Sequence, residues 1–129
     1  MSNSILSLKL LKESFAVCRL NKDEIIPDWA LNNSFYSIVK TEDELSIVCL
    51  EDFVPKNIKQ ERDWRVLKIQ GPLDFSLIGI LSKISSILAK EKISIFAIST
   101  YDTDYILVKN NEIENAIRAL SNENYNIIQ

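Results

Sequence analysis

Few side chains in this sequence could hold or pass a proton near neutral pH, and its 129 residues include no histidine. That removes the usual general base, the commonest metal ligand and every Ser–His or Cys–His nucleophile arrangement. Asp, Glu, Lys and Tyr remain, but no two are spaced as a convincing acid–base pair, so no catalytic residue is assigned and the chain reads as a non-enzyme. Cys18 and Cys49 each lie in an apolar, strand-like run and read as buried reduced thiols rather than as a disulfide or a redox pair. Glu42, Asp43 and Glu44 are consecutive carboxylates without the glycine or the alternating ligands of an EF-hand loop. They read as a solvated hairpin tip, and no metal or other cofactor is expected. Ser99, Thr100, Asp102 and Asp104 gather short oxygens that either tie a turn together or meet a ligand.

Composition narrows the classes further. With 47% hydrophobic and 26% charged residues, the chain is expected to be a soluble globular protein. Its net charge of -3 comes with no basic patch, which argues against a nucleic-acid partner. No apolar run has the length of a membrane span, and the N-terminus lacks the apolar core of a signal peptide. The expected location is the cytoplasm, away from any membrane.

The elements that must position these residues follow from periodicity. Residues 5–11 and 15–20 are apolar runs separated by Lys12-Glu13-Ser14 and read as a β-hairpin. Pro27 suits the first position of a single helical turn packed down by Trp29, which reads as a hydrophobic plug more readily than as a ligand-stacking ring. Residues 35–40 and 45–50 form a second hairpin around the acidic turn. Residues 51–63 read as a polar connection and the boundary between halves. Residues 64–70 alternate as a strand, and Gly71-Pro72 breaks it. Leu77, Ile80, Leu81, Ile84, Ile87 and Leu88 then recur at helical spacing over 74–91, with Asp74 or Ser76 as N-cap.

Residues 93–108 form the third hairpin, with its corner at 100–104. Sliding the second hairpin forward by 59 positions sets Thr41 on Thr100, Asp43 on Asp102 and Ile47 on Ile106, which suggests an internal repeat. Ile113, Ala116, Ile117 and Leu120 mark a second helix, opened by Asn111 and Glu114 in a capping-box-like pair, and residues 125–128 close as a strand. The second half is therefore strand, helix, strand, strand, helix, strand. This is the α+β, ferredoxin-like βαββαβ arrangement, with helices on one face of an antiparallel sheet.

The stretch Gly71-Pro72-Leu73-Asp74-Phe75-Ser76-Leu77-Ile78-Gly79-Ile80-Leu81, with residues 93–108, resembles the ACT domains. More narrowly, the chain is similar to small bacterial tandem-ACT proteins related to the CASTOR arginine sensors and to aspartokinase regulatory domains. Phe15-Ala16-Val17-Cys18-Arg19-Leu20 and Glu44-Leu45-Ser46-Ile47-Val48-Cys49 resemble the same subfamily. The resemblance covers most of the chain and is more specific in the second half. It implies a degenerate, mostly stranded ACT-like unit at 1–62 and a complete ACT domain at 63–129. Helix one of the first unit is reduced to the turn at Pro27.

The resemblance also implies a non-catalytic regulatory protein that senses an amino acid or similar small metabolite where ACT units meet, with a homodimer expected. An ACT module that only dimerises and binds nothing small is the alternative. One wall of the implied site is Gly71, Asp74, Phe75, Ser76, Leu77, Gly79 and Ile80. There the N–H groups at the start of the helix suit a carboxylate, and Asp74 suits an ammonium group. Gly79 offers close approach to the helix. The other wall is Phe96, Ala97, Ile98, Ser99 and Thr100. Asp74 also reads as an ordinary N-cap, Gly71 as a turn residue and Gly79 as a site of close helix–sheet packing.

Overall fold

The computed structural model describes residues 6–32, 34–70 and 79–129. The chain is α+β and dominated by strands. It divides into two compact units, Glu13–Trp64 and a discontinuous one made of residues 1–12 with 65–129. Relative to a division at 62/63, the boundary falls two residues later, and the first twelve residues belong with the second half.

The inserted unit contains strands β2 through β4 and the first part of β5. Its own strands are β2 (Phe15–Leu20), β3 (Ser37–Lys40), β4 (Leu45–Leu50) and the first residues of β5 (Lys59–Ile69), in the order β3-β4-β2-β5. The register of β2 on β4 runs antiparallel from Phe15↔Leu50 to Leu20↔Leu45. One face buries Ala16, Cys18, Leu20, Leu45, Ile47 and Cys49 beneath Ala30 and Val54, with Trp29 packed against them as the expected plug. The other face carries Phe15, whose ring meets Phe35 edge-on at 5.6 Å. Pro27 is extended (φ -76, ψ 149) and precedes the 3-10 turn Asp28–Leu31 instead of opening it as first residue.

Two expectations fail in this half of the sequence. β5 begins at Lys59, so the charged run taken for a connection is a strand paired with β2 through Val17↔Glu61, Cys18↔Gln60 and Arg19↔Lys59. Lys59, Glu61 and Asp63 are exposed and the residues between them, Gln60 and Arg62, are polar too, which hides in the sequence the alternation a strand normally shows. The pairing slips between Phe15 and Val17. Asp63 sits at that slip with a left-handed φ of 67, its N–H donating to Glu51 Oε1 at 2.7 Å.

The second failure concerns β1 (Ser7–Leu10), which does not pair with β2. It lies antiparallel to β5 through Leu8↔Ile69, Lys9↔Lys68 and Leu10↔Leu67, and parallel to β8 (Asn126–Ile128). Leu8 and Leu10 are buried there, and a polar break of hairpin length specifies a loop but not the partner of the strand before it.

The discontinuous unit continues with α1 (Ile80–Lys90), β6 (Ile95–Ser99), β7 (Asp104–Lys109) and α2 (Ile113–Asn122). Its strand order is β6-β7-β5-β1-β8. The first and last strands of the expected βαββαβ plan are therefore separated by β1. Ile84 and Leu88 of α1 and Ile113, Ala116 and Leu120 of α2 bury with Leu8, Leu10, Leu67, Ile69, Ile106 and Val108 in one cluster, so both helices cover the same sheet face.

Asp74 and Ser76, the expected N-caps of α1, lie outside the described residues. The capping box expected at Asn111 is not made: residues 110–112 form a 3-10 turn, and Glu112 precedes α2 with no side-chain cap bond.

The offset of 59 positions holds in the backbone. It carries β4 (Leu45–Leu50) onto β7 (Asp104–Lys109) and the 3-10 turn Glu51–Phe53 onto Asn110–Glu112. Both hairpin corners are closed alike. Thr41 N–H donates to Glu44 O at 2.9 Å and Thr100 N–H to Thr103 O at 2.8 Å, and each threonine hydroxyl bonds back into its own turn.

Candidate functional site

The 100–103 corner is fixed to the sheet as well as to itself. Thr103 is 6% exposed and donates its hydroxyl to the carbonyl of Ile69 at 2.7 Å. Ile69 ends β5, so this bond fixes the β6–β7 corner to the end of that strand. Ser99 and Asp104 close the ladder there, the Ser99 hydroxyl donating to Asp104 Oδ1 at 2.5 Å. Thr103 was not singled out from sequence. The repeat offered no signal, since the equivalent position of the other corner is Glu44.

Of the residues assigned to the first wall, Gly71, Asp74, Phe75, Ser76 and Leu77 lie outside the described residues. Gly79 stands immediately before α1 with φ +82, and a Cβ built on it would meet nothing within 4 Å. It therefore serves the left-handed turn into the helix and not close packing against the sheet. Its carbonyl accepts the N–H of Lys83 at 2.9 Å, the first turn of α1. Ile80 is half-buried against the cluster beneath the helices.

The second wall divides by face. β6 pairs with β7 through Ile95↔Val108, Phe96↔Leu107, Ala97↔Ile106, Ile98↔Tyr105 and Ser99↔Asp104. Ile106 and Val108 lie in the helix-covered cluster, so Ala97 and Ser99 share the face of α1 while Phe96 and Ile98 lie on the opposite face. Ala97, Ser99 and Thr100 are exposed. Among the described residues β6 pairs with β7 alone, which makes it an edge strand among them. Ile80, Ala97 and Ser99 thus lie on the helix-covered side of the sheet. Phe96 and Ile98 do not.

The acidic corner behaves as a turn. Arg19 Nη2 donates to Asp43 O at 2.9 Å, and among the described residues no three His, Cys, Asp or Glu side chains converge as a metal site. Cys18 and Cys49 are free and buried. No helix of the described residues is long and apolar enough to cross a membrane.

Comparison with known proteins decides the family. A model of the ACT domain matches residues 59–122, from the start of β5 to the end of α2. This chain belongs to the ACT-domain family. A second model, of an N-terminal domain, matches residues 13–57 of the ACT protein, within its inserted unit. The crystal structure of a protein from Agobacterium tumefaciens is 39% identical, with a TM-score of 0.92 over 96% of this chain and 92% of that one. The aspartate kinase of Clostridium acetobutylicum is 17% identical with a TM-score of 0.71, over 95% of the ACT protein but 35% of the kinase chain. The regulatory subunit of aspartate kinase from Thermus thermophilus is 15% identical, with a TM-score of 0.57 over 89% of this chain and 95% of that one. No curated protein matches.

Proposed function

We propose that this ACT protein is a non-catalytic regulatory module of the cytoplasm that binds an amino acid or similar small metabolite and reports it to a protein partner. The observation that carries this reading is the Thr103–Ile69 bond, which fixes the β6–β7 corner to the end of β5, beside a strand that pairs with β7 alone among the described residues. An edge strand offers N–H and C=O groups at alternating spacing, a match for the carboxylate and ammonium of an amino acid. The proposed site takes Ala97, Ser99 and Thr100 from β6, together with Gly79, Ile80 and the assigned residues Gly71, Asp74, Phe75, Ser76 and Leu77. Phe96 and Ile98 lie on the opposite face. The same edge is the surface through which a second copy of the chain would pair to make a homodimer. Similarity to a regulatory subunit of aspartate kinase supports a regulatory role.

The two units are proposed to be tandem versions of one ferredoxin-like plan. The inserted unit has its four strands in the order second, third, first, fourth, and the other keeps that order with β1 intercalated. The common offset of 59 positions supports descent from one repeat.

Thermal unfolding against a panel of amino acids tests the function. A ligand present at about a hundred times its dissociation constant adds about 2.7 kcal/mol to the native state, enough for a shift of several degrees. A shift confined to one or two amino acids supports a sensor and identifies its ligand. Flat curves from a stable dimer favour the alternative, an ACT module that only pairs with proteins.

A further inference from the structure

One row of side chains crosses the sheet of the discontinuous unit on the face opposite α1 and α2. Leu8, Leu67, Ile69, Ile106 and Ile127 belong to the cluster under the helices, so the residues that alternate with them lie on the other face. There Lys9 of β1 is directly opposite Lys68 of β5 on one side and Ile128 of β8 on the other. Tyr105 of β7 is opposite Ile98 of β6. Lys68 Nζ stands 6.0 Å from the centre of the Tyr105 ring, which joins the two parts of the row. In order across the strands, the row is Ile98, Tyr105, Lys68, Lys9 and Ile128.

Two cations therefore stand side by side at its middle. Gln70 N–H donates to Ser7 O at 2.8 Å and Leu11 N–H to Val66 O at 2.9 Å. Lys9 and Lys68 fall halfway between these pairs, so by the alternation of the ladder they too form a hydrogen-bonded pair, with Cα atoms about 5.5 Å apart. Like charges placed directly opposite destabilise a sheet. Among the described residues neither ammonium has a carboxylate within ion-pair distance. The strand residues of this face include Lys109 as well and no acidic side chain, although the chain carries a net charge of -3.

We infer that Lys9 and Lys68 hold the dianionic phosphate group of a small phosphorylated metabolite, on the face opposite Ala97 and Ser99.

Charge, donors and flanks fit that class together. Each ammonium is a compact charge with several donors and no acceptor, and two of them on facing residues can close on one tetrahedral group. A monocarboxylate leaves one cation uncompensated, and an extended dicarboxylate carries its second charge away from the pair. The next facing residues add neutral donors. Asn126 Nδ2 donates to Ser7 Oγ at 3.3 Å, which leaves the Ser7 proton for another acceptor. Tyr105 and Ile98 on one side, and Ile128 at 40% exposure on the other, give apolar surface to the carbon skeleton of an ester. The cost of the paired charges is thus offset when the dianion is bound.

The test titrates the full, isotope-labelled chain with methyl phosphate and with inorganic phosphate, followed by amide chemical shifts. The pH is held above about 7, where the dianion predominates, and chloride keeps ionic strength constant. Saturable shifts centred on residues 7–9 and 68–70 are expected. Lys9→Met and Lys68→Met should each weaken binding by about tenfold or more. Phosphate stabilises many folds simply by exclusion from their surface, so affinity and not melting temperature is the readout for these variants. Lys9→Glu sets a carboxylate opposite Lys68, and should raise the melting temperature in phosphate-free buffer while abolishing the saturable shifts. The inference is overturned if the wild-type shifts rise without saturating, centre on other residues, or survive both Lys→Met changes undiminished. It is equally overturned if succinate at the same ionic strength binds there as tightly as methyl phosphate.

Discussion

The hydroxyl of Thr103 reaches the carbonyl of Ile69 at 2.7 Å, joining residues 34 positions apart in sequence, the β6–β7 corner to the end of β5. Because Thr103 is buried, losing the hydroxyl leaves a buried acceptor without its partner. Thr103→Val, which keeps the shape, should cost about 1–3 kcal/mol in urea unfolding. Thr103→Ser should cost less, since it can remake the bond. Equal losses from the two variants would mean that the methyl group, not the bond, fixes the corner.

Gly79 holds φ +82 with open space where a side chain would begin. The penalty for a side chain here is therefore conformational and not steric, and Gly79→Ala should destabilise by about 1–2 kcal/mol. Gly79→Asn should do less harm, because Asn visits the left-handed region more easily. If Gly79→Ala abolished folding, some neighbour of that position would have to be in contact with it.

The β6 edge should govern self-association. Ala97 is exposed on the edge strand, and a charge placed there opposes strand-to-strand pairing. Ala97→Lys should convert a homodimer into a monomer in sedimentation experiments while changing the stability of the unit by less than about 0.5 kcal/mol. An unchanged dimer would move the interface away from β6.

Alkaline stability should report Tyr125. Burial, and secondarily the carboxylate of Glu123, raises its phenol above the usual tyrosine range. The folded state then keeps a proton that the unfolded chain gives up near pH about 10. Its contribution is complete below that pH and lost as pH rises through the folded value. Tyr125→Phe should flatten the fall in stability above pH about 10 in urea unfolding measured at stepped pH. The same alkaline slope in both proteins would assign the effect to other groups.

Periodicity was enough where one face of an element is buried. Ile84 and Leu88 of α1 and Ala116 and Leu120 of α2 fall on the helical stripes that their spacing predicts. The hairpins of β3 with β4 and β6 with β7 stand where alternating runs and threonine corners place them. Local chemistry also marked Trp29 as a plug and Thr41 and Thr100 as equivalent corners. It misplaced the partner of β1, because Leu8 and Leu10 would suit any apolar sheet face. It missed the first part of β5, because charges at Lys59, Glu61 and Asp63 obscure a strand whose pairing to β2 is long-range.

The candidate site divides along the same line. Sequence alone determined the residue types at the 99–104 corner, the absence of histidine and the ACT-like succession of elements. Only the tertiary structure decided that Ala97 and Ser99 share a face with α1 while Phe96 and Ile98 do not. Strand alternation separates neighbours onto two faces, but pairing with β7 chooses which face each receives. Tertiary structure likewise joined Thr103 to Ile69 and set Cys18 diagonal to Cys49, since hydrogen bonds and registers between distant strands depend on which strands meet.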